Sequence, residues 1–163
     1  MTCHMRMNSG RMILKIKKKL ENSRIILNLQ SHLSTMNTAT TEGVQITVSA
    51  RFRKDLSNVS ENQFFFNYHV EMQNHNDFNV QLIHRDWYIF DSLNEPSFVS
   101  GEGVIGEQPV IRRDEKFSYT SGCELFSEMG LMKGFYTFKN LANGNLFQVH
   151  IPMFQLIYPP RLN

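Results

Sequence analysis

The residues best placed to do chemistry are three glycines. Gly101, Gly103 and Gly106 follow the order G-x-G-x-x-G within Gly101-Glu-Gly-Val-Ile-Gly106-Glu-Gln-Pro109. That spacing can cradle a pyrophosphate when a strand leads into it, a helix starts on the last glycine, and an acidic residue follows about 20 residues later. Here Pro109 stands three residues after Gly106, and the β-branched and aromatic residues around the run offer no helix N-terminus to meet a phosphate. The glycines are therefore expected to serve backbone geometry, through a positive φ, a bulge or the close approach of another segment. A contact surface for a partner and a phosphate loop are the competing uses.

A second set of residues has the chemistry of a divalent-cation site. His69 and Glu71 lie two apart, as do His84 and Asp86. Magnesium takes carboxylates and keeps its waters, whereas cobalt accepts imidazole, so a site for both ions would need these four residues to converge from adjacent strands. Asp86, Asp91, Glu95, Glu102 and Glu107 add an acidic neighbourhood that could attract hydrated magnesium. The plain alternative is polar residues on a solvated face, since neither H-E-x-x-H nor C-x-x-C occurs. A G-x-S-x-G elbow, a P-loop and an obvious acid–base pair are also missing from the sequence. Cys123 has no declared base beside it and reads as a structural cysteine. No cofactor is expected, and the chain is not expected to be an enzyme.

These residues must be positioned by strands. Val44, Ile46, Val48, Ala50 and Phe52 alternate with Gln45, Thr47, Ser49 and Arg51, and Phe64, Phe66, Tyr68, Val70 and Met72 repeat the pattern, which predicts two strands with one wet face each. Asn74-His-Asn-Asp77 supplies turn chemistry, so the next strand, from about Phe78, is expected to return beside the second. In that strand Val80 and Leu82 share one parity and Trp87 and Ile89 the other, which predicts a bulge near 84–86. Further strands are expected at about 97–104, 115–120, 132–140 and 145–157, with Asn143-Gly144 as a hairpin turn. About seven antiparallel strands and no convincing helix predict a two-sheet β-sandwich of the immunoglobulin-like kind. Trp87, the single tryptophan, is expected to fill the space between the sheets. Phe65 falls out of phase with Phe64 and Phe66 and is expected to be exposed, as at an interface.

Several blocks occur in one order: Val80-Gln-Leu, Arg85-x-Trp87-x-Ile-x-Asp91, Gly101-Glu-Gly-Val-Ile-Gly-x-Gln-Pro109, Tyr119-Thr-Ser-Gly122, Glu128-Met-Gly-x-Met132-x-Gly134-x-Tyr136 and Ile151-Pro-x-Phe154-x-Leu156. In this the chain resembles the ApaG family over about residues 42–163. The resemblance implies a fibronectin type III-like β-sandwich without established catalytic activity, connected with cobalt and magnesium efflux, whose related domains also occur as modules of larger eukaryotic proteins. Asp86 departs from the pattern, because family members usually carry His or an aromatic residue between the Arg and Trp of that block.

Charge divides the chain. Residues 1–35 hold seven Lys or Arg against Glu21 alone, which leaves ten basic and fourteen acidic residues in 36–163. The expected organisation is a basic N-terminal arm over 1–41 and a sandwich domain over 42–163. Three readings of the arm stand side by side: an extension or disordered arm preceding a start at Met36, an amphipathic element for a polyanion or membrane surface, and a transit peptide. Its apolar stretches are too short for a transmembrane span. The mildly acidic remainder does not favour nucleic acid, and two cysteines split between arm and domain fit a reducing cytoplasm. The expected function is a non-catalytic binding or regulatory module that engages an unidentified protein partner, with self-association open and a link to divalent-cation homeostasis. A nucleotide binder using Gly101–Gly106 is the first alternative and a metal-dependent hydrolase the second.

Overall fold

The computed structural model describes residues 36–159; the expectations for residues 1–35 lie outside them. Alternation of apolar and polar residues gives strands β2 (Val44–Phe52) and β3 (Phe64–Asn74), in which every second side chain of β3 is buried. β1 (Asn37–Thr41) precedes β2, so pairing begins ahead of the boundary expected at 42. The remaining strands are β4 (Val80–Asp91), β5 (Ser97–Glu102), β6 (Val110–Ile111), β7 (Lys116–Leu125), β8 (Met129–Asn140) and β9 (Leu146–Ile157).

Two antiparallel sheets result. One has the order β1-β2-β3-β7; in the other, β5-β4-β8-β9, the short β6 continues the β5 edge of β4. Their inner faces meet in a core that includes Ile46, Phe64, Phe66, Leu82, Phe138 and Phe154, and β9 lies against β1 and β2. This is the expected sandwich, with the five-residue β1 and the two-residue β6 added to seven longer strands. Among the described residues, no helix is long and apolar enough to cross a membrane.

One expectation is corrected. β4 does not return beside β3, whose two edges are taken by β2 and β7, but crosses to the other sheet. Asn74 holds the crossover. Its buried amide donates to the carbonyls of Phe78 (2.8 Å) and Ile111 (3.1 Å), and its oxygen accepts from the backbone of Asn76 at 3.0 Å. A turn-forming sequence can thus carry the chain between sheets as readily as it closes a hairpin.

The parity change in β4 has the cause read from the sequence: its register against β8 shifts between Leu82 and His84. The bulge turns Leu82 and Trp87 alike toward the core. Trp87 is 2% exposed, with the rings of Tyr68, Phe154 and Tyr136 around it at 5.4, 5.9 and 6.1 Å.

Candidate functional site

The glycine run closes a tight turn. Val104 and Glu107 exchange backbone hydrogen bonds of 2.8 and 2.9 Å, and the two residues between them, Ile105 (φ 45°) and Gly106 (φ 81°), are both left-handed, the conformation of a type I′ turn. Gly103 is needed on two counts. Its φ is 53°, and a Cβ there would collide with the Glu107 carbonyl. Gly101 leaves room for the Arg85 guanidinium, which donates to the carbonyls of Glu102 (2.9 Å) and Gly103 (2.6 Å). The amides of Gly103, Val104 and Glu107 already donate to backbone carbonyls, and among the described residues no helix follows. This geometry supports the structural use of the glycines and opposes a pyrophosphate cradle, whose amides must be free to face the anion. Ile105, which the sequence reading passed over, is 60% exposed at the tip in a conformation that β-branched residues rarely adopt.

The four cation-site residues are divided between the sheets. His69 and Glu71 lie on the outer face of the β1-β2-β3-β7 sheet, where His69 Nδ1 meets Thr120 Oγ1 at 3.0 Å and Glu71 accepts from Lys116 at 2.8 Å. His84 and Asp86 lie on the outer face of the other sheet. The crossover of β4 therefore separates the pairs, and among the described residues no three His, Cys, Asp or Glu side chains are grouped to hold a metal. His84, Ser100 and Asp86 do converge. Ser100 Oγ lies 2.7 Å from His84 Nε2 and donates to Asp86 at 2.8 Å. A nucleophilic serine would instead share its proton with the imidazole while the carboxylate bonded the opposite ring nitrogen. Here both groups meet Nε2, and the hydroxyl proton is held by Asp86.

Other polar residues join elements together. The Tyr119 and Tyr136 hydroxyls meet at 2.5 Å in the interior, linking β7 of one sheet to β8 of the other. Burial pushes both phenols above the usual range. The Trp87 indole N–H is buried beside them. Burial also raises the Cys123 thiol to about 11, which leaves it inert as a nucleophile at neutral pH. Asp91, at the end of β4, accepts from the Phe126 amide at 2.6 Å and from the Ser127 hydroxyl. Partial burial works to raise its pKa, but hydrogen bonds from Ser127, Phe126, Leu93 and Asn94 outweigh that and hold it below the usual carboxylate range. The tyrosine bridge and the Asp91 contacts are not chemical motifs, so the sequence alone did not disclose them, whereas Cys123 and Trp87 were legible as structural residues. Asp91 was recognisable as part of a block and of the acidic neighbourhood, not as a loop clasp.

A groove of about 670 Å³ opens among Arg51, Phe52, Arg53, Lys54, Asp55 and Asn67. Asp55 neutralises Arg53 there through two bonds of 2.8 and 2.5 Å. Beyond this cationic groove, the outward faces of the two sheets differ. The β1-β2-β3-β7 sheet presents Thr38, Thr47, Ser49, His69, Ser118 and Thr120. On the other sheet Tyr88 stands opposite Phe98, with ring centroids 4.9 Å apart. Beside them Lys133 lies 5.5 Å from the Phe90 ring and Phe135 packs 4.7 Å from His150. Met129 pairs with Ile157 farther along, both exposed, as is Met153. Phe65, expected to be exposed, instead lies half-buried over Gly122, where a Cβ would strike its ring.

The fold and these sites define a β-sandwich domain of two antiparallel sheets, one of which turns several aromatic and apolar side chains outward among polar ones. The chain belongs to the ApaG family, whose domain matches residues 54–140. It is 43% identical over 124 residues to protein ApaG of Methylorubrum extorquens (strain PA1), a match spanning 76% of this chain and 95% of that one. Over the same shares it is 36% identical to protein ApaG of Mesorhizobium japonicum. The crystal structure of a protein described as ApaA from Bordetella pertussis aligns with a TM-score of 0.69 and 36% identity, covering 71% of this chain and 94% of that one.

Proposed function

We propose that this protein is a non-catalytic binding module that engages a protein partner through the outward face of the β5-β4-β8-β9 sheet. The observation that carries this reading is the aromatic and apolar band of Tyr88, Phe98, Phe90, Phe135, Met129, Met153 and Ile157. An antiparallel sheet with one face on the core ordinarily turns polar residues to water on the other, as the opposite sheet of this protein does. Exposed aromatic side chains gathered on one face among polar residues are a usual mark of a partner surface. Phe98 at 54% exposure and Met153 at 58% leave large side chains ready to be covered. The separation of His69 and Glu71 from His84 and Asp86 weighs against direct cation chemistry. An influence on cobalt and magnesium balance would then run through the partner.

The test is affinity capture with the full-length chain and with its Tyr88→Ser/Phe98→Ser variant, at matched folded concentration. A discrete protein retained by the wild type and lost by the variant supports the reading. Equal retention by both moves the interface elsewhere, and substrate turnover by the isolated chain contradicts a non-catalytic role.

A further inference from the structure

β7 is the outermost strand of its sheet, and among the described residues no strand pairs with its other edge. Natural edges are normally blunted by proline, a bulge, short length or lysines. β7 is ten residues long, contains no proline, and runs against β3 without a register shift. Its one lysine, Lys116, stands at its first position and is paired with Glu71.

The hydrogen-bonding parity of this edge is fixed. The Asn74 amide donates to the Glu115 carbonyl at 3.2 Å, and the register continues without interruption from Gln73 opposite Lys116 to Phe64 opposite Leu125. Odd-numbered β7 residues therefore turn their backbone groups to β3, and Lys116, Ser118, Thr120, Gly122 and Glu124 turn theirs to the open side.

We propose that a second copy of this chain docks along β7, the two strands running antiparallel about a twofold axis through Thr120. This register sets Lys116 opposite Glu124 of the partner subunit and Glu124 opposite Lys116 of the partner subunit. Ser118 faces Gly122 of the partner subunit, and Thr120 faces its own counterpart. All outward backbone groups between the charged pairs then find partners, and the two four-stranded sheets become one continuous sheet. Charge complementarity selects the register. Moving the axis to Tyr119 brings Glu124 against Asp114, a like-charge pair, and moving it to Ser121 carries Lys116 past the end of the strand to Phe126. Gly122 adds no side chain at the seam, and the Phe65 ring covers it from the outer face. Such an isologous contact is closed and stops at two copies. It lies on the other sheet from the proposed partner face and stands independently of it.

Sedimentation equilibrium of the full-length chain over a wide concentration range tests the arrangement. The expected result is a reversible monomer–dimer equilibrium. Lys116→Glu and Glu124→Lys should each weaken it about tenfold, because each places like charges opposite one another twice per dimer. The Lys116→Glu/Glu124→Lys double variant should restore it. Thr120→Pro, which removes a donor facing the open edge and none facing β3, should abolish dimerisation. If that variant does not fold, the charge exchange alone decides. A chain that stays monomeric throughout, or a dimer that neither single charge change weakens, overturns the proposal. So does a dimer lost in Tyr88→Ser/Phe98→Ser and untouched by the charge changes.

Discussion

Tyr119 and Tyr136 show what the buried polar residues of this protein do. The two hydroxyls are partners in the interior, so removing that of Tyr136 deprives the buried Tyr119 hydroxyl of this bond. Tyr136→Phe is expected to destabilise the fold by about 1–3 kcal/mol, read as a lowered denaturant midpoint with an unchanged slope; no change would show that the bridge contributes nothing net. Trp87 was legible as core because one large ring at the centre of an alternating strand has nowhere else to go. The tyrosine bridge was not, since its partners lie on strands of different sheets, and strand periodicity says nothing about which inward residues meet. The cation set failed for the same reason: His69 with Glu71, and His84 with Asp86, share a face within each strand, but the crossover at Asn74 sends the strands to different sheets.

At the scale of elements, the turn at 103–107 and the loops tied by Asp91 make separate predictions. Gly103 combines a positive φ with a backbone collision, whereas Gly106 has the positive φ with open space around it. Gly103→Ala should therefore cost more than the roughly 1 kcal/mol expected for Gly106→Ala from strain alone, as measured by chemical denaturation. Equal costs would contradict the close approach to Glu107. Asp91 has a folded pKa below its unfolded value. Its contribution is fully present above the unfolded carboxylate value, about 4, and is lost as pH falls through the folded one. Asp91→Asn should lower stability at neutral pH and reduce the loss of stability on acidification, followed by thermal melts across pH 2–7. An unchanged acid profile would remove Asp91 as a contributor. The alternating strands, the β4 bulge and the Asn143-Gly144 turn were legible, since each is a local pattern. The strand expected at about 115–120 corresponds to β7. It continues to Leu125, and Gly122 within it admits the Phe65 ring.

At the scale of the whole molecule, the two outward sheet faces differ in how many aromatic side chains they carry. A polar Ser/Thr face is what a solvated sheet requires, while the aromatic side chains of Tyr88, Phe98 and Phe135 on the other face are the ones a partner would cover. The alternation pattern disclosed that these strands have two faces, but long-range strand order decides which outward residues become neighbours, so the band could not be assembled from sequence. The most direct measurement is hydrogen–deuterium exchange of the full-length chain alone and in complex with a protein it captures. Slowed exchange is expected across 88–98 and 129–135 and in β9, with the 103–107 turn unchanged. Protection confined to the glycine turn or to the Arg51–Asp55 groove, with β4, β5 and β8 exchanging as in the free chain, would contradict a partner on that face.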